Sequence, residues 1–501
     1  MSFDAVVIGG GINGLVAATV LARKGLKLCL LERSGALGGM AAGNGRMAHL
    51  LWNLSPLVRR EVGMKADRWP FGLTSIPSVA LSPDGSHVIL RGVSASFADG
   101  TPHPQADIYR QLHRQLVDYG DLLRSLAEGG PPGIDGPWTS RAALKEIWRL
   151  GRFGLRLKRM DKPQMRRFLQ VLLSNAYDLI LDDLKDGPLA GLLAADAVRG
   201  AAAGPRSPGT VFSLIYRLGH GGDLSLPTDG MGAVIDAFET AARSAGVEIR
   251  MDTGVSRVIV EGDQVIGVET STGDVLNASR VLSSTGALRT AQMAGFASFD
   301  IEATRRLRNL RAKGTTAKIN LTLDKPLEVN GISSDLGAAR YVLAPSTDYV
   351  ERAFNPSKYR QMSKAPVVEA VMPDPQSLSI ITQYAPVDLD GGWNDAAKAQ
   401  LLDITTRALS PYMPDLPSSI AASEVITPDQ IEAETGAPGG HWHHAEMALD
   451  QLLTIRPVNG MGRYAMGPKG LYLCGASAHP GGDLMGLSGR NAAHAALEAG
   501  S

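Results

Sequence analysis

Residues 3–14 read Phe3-Asp4-Ala5-Val6-Val7-Ile8-Gly9-Gly10-Gly11-Ile12-Asn13-Gly14. The β-branched run ending at Ile8 is apolar without alternation, the pattern of a parallel strand buried on both faces. Gly9, Gly11 and Gly14 form a G-x-G-x-x-G turn into a helix expected from about Leu15 to Arg23, with Gly25 as its C-terminal cap. A second strand, Lys27-Leu28-Cys29-Leu30-Leu31, ends on Glu32. Each part has a physical task in holding a dinucleotide. Gly9 makes the turn, Gly11 admits backbone N–H groups to a pyrophosphate, and Gly14 lets the helix pack on the strand. The helix N-terminus favours the phosphate charge, and Glu32 can accept both ribose hydroxyls. Order and spacing together predict a Rossmann-type unit within an α/β fold.

The fingerprint alone does not choose between dinucleotides. Past Glu32 the chain reads Arg33-Ser34-Gly35-Ala36-Leu37-Gly38-Gly39-Met40. A glycine pair there lets the chain turn back under the pyrophosphate. An acid, an arginine and then paired glycines resemble the FAD-dependent oxidoreductases of the glutathione-reductase superfamily, in particular the amine-oxidase and phytoene-desaturase branches. The resemblance implies FAD, with Arg33, Gly38, Gly39 and Met40 joining Gly9, Gly11, Gly14 and Glu32 around it.

A second segment agrees. Leu471-Tyr472-Leu473-Cys474-Gly475-Ala476-Ser477-Ala478-His479-Pro480-Gly481-Gly482-Asp483 is a strand running into a glycine-rich loop, and a helix is expected from Leu484-Met485-Gly486 to about Leu497. With Gly489-Arg490-Asn491-Ala492-Ala493, Asp229-Gly230-Met231-Gly232 and Gly439-Gly440-His441-Trp442-His443-His444-Ala445-Glu446, it is similar to the phytoene-desaturase-related flavoproteins. Within them it most resembles the branch labelled pyridine nucleotide-disulphide oxidoreductase domain 2-like. The resemblance implies that Gly475, His479, Asp483 and Met485 approach the flavin, His479 orienting the ring, and that Val255 holds the adenine through its backbone. Carotenoid desaturases carry an acidic segment soon after the glycine pair. Here that place reads Met47-Ala48-His49-Leu50-Leu51-Trp52, from which His49 and Trp52 are expected to line the flavin face.

The 501 residues carry 50 Lys plus Arg against 50 Asp plus Glu, so no overall charge recruits nucleic acid. Cys29 and Cys474 are the only cysteines and cannot form a CxxC redox pair, which removes dithiol flavin chemistry. With a strand beginning at Phe3, no targeting peptide is expected, and no apolar run approaches the roughly 18 residues of a membrane span. A cytoplasmic location is expected.

The expected organisation is a first FAD-binding part over 1–100, a helical cap over 101–222, a second FAD-binding part over 223–290, a mixed-sheet substrate domain over 291–465 and a final FAD-binding part over 466–501. Helical periodicity runs from Ile108 through Ala127 and from Arg141 through Asp182, around a Pro/Gly loop at 129–133. Along 145–168, Lys145, Arg149, Arg152, Arg156 and Arg159 form a basic stripe. It adjoins an apolar stripe of Ile147, Leu150, Phe153, Leu157 and Met160, a pattern suited to peripheral membrane contact.

Flavin dehydrogenation asks the protein to hold a C–H bond near the ring and, in some cases, to supply a base. His444 and Glu446 are the candidate catalytic pair, His being able to exchange protons near neutrality. His441, His443 and His444 lack the i, i+4 helical spacing of a zinc motif, so no metal is expected. The sequence therefore predicts an FAD-dependent dehydrogenase or desaturase acting on a largely apolar small molecule. An oxygen-using amine or alcohol oxidase, a redox-neutral isomerase and a non-enzymatic lipid or prenyl-group binder on the same fold are the alternatives.

Overall fold

The computed structural model describes residues 2–42, 46–65, 68–131, 141–219, 222 and 224–499, apart from the side chains of 141–146 and 149. Pro132 and Gly133 of the expected loop, and the side chains of Lys145 and Arg149, lie outside the described residues.

Its base is a five-stranded parallel sheet in the order Glu248–Arg250, Leu28–Leu31, Ala5–Ile8, Val281–Ser283, Leu471–Leu473. Ala5–Ile8 and Leu28–Leu31 are buried at every position, as strands covered on both faces must be. Helix Ile12–Ala22 follows the glycine turn and packs against Gly230–Ser244 and Leu487–Glu498. These packings leave no room for side chains at two glycines. A Cβ on Gly14 would overlap the Gly9 carbonyl, and one on Gly489 would overlap the carbonyl of Asn13. The last helix begins at Leu487, three residues later than expected, because Gly486 takes a left-handed conformation (φ 77°) and leaves 484–486 as a turn.

A four-stranded sheet, Ser2–Phe3, Val275–Ala278, Gln264–Thr270 and Val255–Glu261, connects the parallel strands. An eight-stranded mixed sheet forms the second body of the molecule. It runs Ile420–Ile426, Thr316–Leu323, Ser377–Gln383, Val368–Asp374, Arg340–Leu343, Ser78–Ala80, Val88–Arg91, Ser94–Phe97. Residues 78–97, expected within the dinucleotide fold, thus belong to this sheet. Their hairpin pairs with Arg340–Leu343, a partner that only the folded chain brings alongside.

Helices Ala106–Ala127, Arg141–Arg159, Lys162–Leu173, Ala176–Asp183, Pro188–Ala197 and Val211–Leu218 follow. Several of them share an apolar core with Ala80, Val88, Leu90 and Val342 of the eight-stranded sheet. The continuous 145–168 helix of the sequence reading is in fact two. Asp161 caps the second by accepting the Gln164 N–H at 2.7 Å, and the side chain of Gln164 accepts back from the Asp161 N–H. Among the described residues no helix is long and apolar enough to cross a membrane.

The tight contact between the first and last helices yields a direct test. Gly489→Ala must force them apart and is expected to lower stability by about 1–3 kcal/mol, read as a reduced melting temperature of both the FAD-loaded protein and the apoprotein.

Candidate active site

The glycine turn builds one wall of a cavity of about 670 Å³, within the range of roughly 300–1,000 Å³ typical of ligand pockets. Gly9 (φ 94°) faces Ser284, whose hydroxyl donates to the carbonyls of Ile8 (3.0 Å) and Gly9 (3.1 Å). Gly38 (φ 111°) donates its N–H to the Gly10 carbonyl at 2.9 Å, which brings the second glycine pair under the first turn. Glu32 Oε2 accepts the Gly10 N–H at 2.7 Å, while Oε1 accepts the N–H and hydroxyl of Ser34, each at 3.0 Å. The carboxylate is thereby fixed at the cavity wall with a lone pair on Oε2 to spare for a hydroxyl donor.

Gly11 supplies the test of whether a dinucleotide fits. A Cβ at this position would meet nothing within 4 Å, so no protein atom demands glycine there. The helix behind it has no side-chain cap and no acid in its first turn. An uncapped helix N-terminus facing open space across a bare glycine is a cradle for an anion. The residues present fit a pyrophosphate.

The structure places Gly9, Gly11, Glu32, Arg33, Gly38, Gly39, Met40, Val255, Asp483 and Met485 on the cavity wall. Three other expected cofactor residues are not on it. Gly14 packs against Gly9, and Gly475 packs against the backbone of Ser284. His479 is turned away, its Nε2 lying 2.8 Å from the Leu126 carbonyl, where it ties the glycine-rich loop to the helical region. Two separated loops must converge for such a cavity to form, and side-chain direction in the second loop is not visible from spacing.

The candidate catalytic pair is also divided. His444 lines the cavity, whereas Glu446 is not among the lining residues. Glu446 accepts the Ala202 N–H at 3.3 Å and lies 3.6 Å from His441. Of the segment after the glycine pair, Trp52 lines the cavity, while His49 is buried beneath it, 2.7 Å from Glu369 and 3.1 Å from Ser379.

Beyond Met40 the lining continues through Met47, Leu50, Leu51, Trp52, Arg199, Trp442 and His443. Arg199, an isolated arginine in a helix-to-loop stretch, carries no signal in the sequence. Its guanidinium lies 4.7 Å from the Trp442 ring and 5.5 Å from that of Trp52, and donates to both oxygens of Glu369 at 2.7 and 2.9 Å. Glu369 also accepts from Arg340 at 2.7 Å, and these cations hold its carboxyl far below the usual range despite burial. Asp483 (φ 60°) accepts from Arg217 Nε at 2.8 Å and faces His443 Nε2 at 3.1 Å. It too is held well below the ordinary carboxylate range, by Arg217 and His443.

Three of the buried histidines, His49, His443 and His444, are held toward the neutral form. Burial is the largest cause in each case, pushing His443 down to about 4 and His49 and His444 down to about 3, with Arg456 adding to the effect on His444. Among the described residues, Nδ1 of His444 has no hydrogen-bond partner.

Linkage gives a definite pH dependence. Below their unfolded value of 6.5 these histidines bind protons in the unfolded chain but not in the native one. The stability they contribute is complete above that value and is lost as pH falls toward 4, by up to about 1.4 kcal/mol per histidine per pH unit. Thermal melting between pH 7 and pH 5 is expected to show a falling midpoint, and His443→Gln, which keeps a donor toward Asp483, is expected to flatten that fall.

Comparison with known proteins agrees with this geometry. Residues 4–349 match the family of FAD-dependent oxidoreductases described as DAO. The chain is 28% identical to pyridine nucleotide-disulfide oxidoreductase domain-containing protein 2 of Rattus norvegicus, over 98% of this chain and 93% of the rat protein. It is 23% identical to the neurosporene-forming phytoene desaturase of Cereibacter sphaeroides, over 97% of this chain and 92% of that one. Its fold matches the crystal structure of an oxidoreductase from Methanosarcina mazei with a TM-score of 0.56 and 16% identity, over 99% of this chain and 100% of the other. The chain belongs to the FAD-dependent oxidoreductase family, with a glutathione-reductase-type fold and FAD as its cofactor.

Proposed function

We propose that this oxidoreductase is of the dehydrogenase or desaturase type and acts on a largely apolar small molecule. One observation carries the reading. Past the glycine pair the cavity is walled by Met40, Met47, Leu50, Leu51, Trp52 and Trp442, and two charged groups on the wall, Arg199 and Asp483, are already engaged. Arg199 is bound to Glu369, and Asp483 to Arg217 and His443. A charged substrate would find no unsatisfied counter-charge at Arg199 or Asp483, and an ion buried without one is costly.

Gly9, Gly11 and the first turn of helix Ile12–Ala22 would hold the pyrophosphate of FAD, Glu32 and Arg33 the ribose side, and Val255 the adenine. Gly38, Gly39, Met40, Asp483 and Met485 would shape the path to the flavin. Bound FAD supplies hydride acceptance at its N5. Trp52 and Trp442 exclude water from the apolar end and hold a flat or extended substrate by contact area. A histidine held neutral down to about pH 3 is a poor base at pH 7, so His444 serves as a hydrogen-bonding group at Nδ1 that orients what lies beside it. Glu446 belongs to the support of this wall, and Arg456 fastens it from behind by donating to the carbonyls of His443, Glu446 and Ala476.

The test is anaerobic titration of the purified yellow protein with apolar candidate substrates. Loss of the flavin colour with formation of a new C=C bond supports the reading. Equally fast reduction by charged amines, with rapid reoxidation in air, would assign the protein to the oxidases instead. Conversion to an isomer without net loss of colour would mark an isomerase.

Two substitutions probe the holding residues. Gly11→Ala adds a methyl group to the space left for the pyrophosphate and is expected to abolish FAD retention on gel filtration while leaving the melting temperature of the apoprotein unchanged. Glu32→Ala removes a charged acceptor worth about 1.5–3 kcal/mol, so the FAD dissociation constant is expected to rise roughly tenfold to a hundredfold. Glu446→Gln is expected to leave the pH profile of flavin reduction unaltered, because that carboxylate does not face the cavity.

A further inference from the structure

Five of the eleven large apolar side chains exposed among the described residues fall within one short stretch: Ile147, Trp148, Leu155, Leu169 and Leu173. Trp148 is 65% exposed and Leu173 62%. The two helices that carry them, Arg141–Arg159 and Lys162–Leu173, are also the most basic part of a chain whose overall charge is zero. Residues 141–173 contain ten Lys or Arg and two acids.

The helical wheel orders these residues. At 100° per residue, Phe153 and Leu157 share one side of the first helix, and the structure packs them, with Met160 just beyond the helix end, against the apolar core. Trp148 and Leu155, seven residues apart, occupy the opposite side with Arg152 and Arg159 next to them; all four are exposed. Arg152 lies 4.7 Å from the Trp148 ring. On the second helix Phe168 and Val171 are buried, and Lys162, Arg166, Leu169 and Leu173 form an outward stripe at i, i+4, i+7 and i+11. Among the described residues, no carboxylate is ion-paired with Arg152, Arg156, Lys158, Arg159, Lys162, Arg166 or Arg167.

A solvent-facing helix surface needs charges, but it gains nothing from an exposed tryptophan and leucine centred among them. We infer that this helix pair docks the protein on the surface of an anionic lipid bilayer. Trp148 and Leu155 enter the headgroup–acyl boundary, Leu169 and Leu173 extend the contact, and the flanking arginines and lysines reach the lipid phosphates. The charge complementarity decides the occupant: a neutral apolar partner would leave this concentration of cations uncompensated. The docking rests on neither the substrate nor the redox type of the enzyme.

Flotation of the FAD-loaded protein with vesicles tests it. Binding is expected to vesicles of phosphatidylcholine mixed with phosphatidylglycerol, to be weak on phosphatidylcholine alone, and to fall as salt is raised. Arg152→Gln/Arg156→Gln/Arg159→Gln is expected to weaken partitioning on the order of a hundredfold, at roughly fivefold per charge. Trp148→Ser/Leu155→Ser is expected to abolish retention on the vesicles, and the control Ile301→Ser, at a 90% exposed apolar site outside this stretch, to leave it intact. Retained flavin colour and melting temperature show that each variant is folded. Equal binding to both vesicle types, or no loss in either helix variant, overturns the inference. So does a dimer that Trp148→Ser/Leu155→Ser converts to monomer without vesicle binding, since a second copy would then be the occupant.

Discussion

The architecture depends on the close approach of backbone to backbone around the first helix. Helix Ile12–Ala22 lies against the turn that precedes it at Gly14 and Gly9, and against the last helix at Asn13 and Gly489. Without those contacts its N-terminus would sit too far from the strand ends to face the cavity. The same contacts bring the start and the end of the chain together, so the wall that begins at Gly9 is completed by residues 481–486. The site exists because glycine lets two helices and a strand share a space that side chains would fill.

A second constraint acts among the buried charges. Glu369 on the eight-stranded sheet binds Arg199, Arg340 and His49, and Arg340 also pairs with Asp196 at the end of the helical region. Asp483 on the dinucleotide side binds Arg217 and His443. Buried ion pairs of this kind add little net stability, because desolvation offsets most of the attraction. Their directionality is what matters here. Bidentate and shared hydrogen bonds restrict the relative placement of sheet, helices and C-terminal loop, and in that placement the Arg199 guanidinium lies 5.5 Å from the Trp52 ring and 4.7 Å from that of Trp442.

Much of the site was legible in residue order. Gly9 to Gly14, Glu32 and the Gly38–Gly39 pair announce themselves because backbone conformation and local spacing suffice to define their tasks. His444 was also legible as a cavity residue. Glu446 was not separable from it, since two positions along a loop can place one side chain on the cavity and the other behind the wall. His479 illustrates the same limit: its neighbours face the cavity while its ring reaches back to Leu126. Arg199 carried no mark at all, because its part depends on Glu369, a residue 170 positions away. The break at Asp161 was written in the sequence as a capping box, and the basic periodicity running across it hid that signal.

By itself the sequence determined the dinucleotide fold and the helical character of the middle region. These follow from short-range physics: buried β-branched runs, glycine conformations and a period of 3.6 residues. Only the tertiary structure decided that residues 78–97 join the second sheet, which histidine faces the cavity, and that Trp148 and Leu155 stay outside the core. Each of those outcomes depends on what a distant segment covers, and burial is a property of the assembled chain that no local pattern contains.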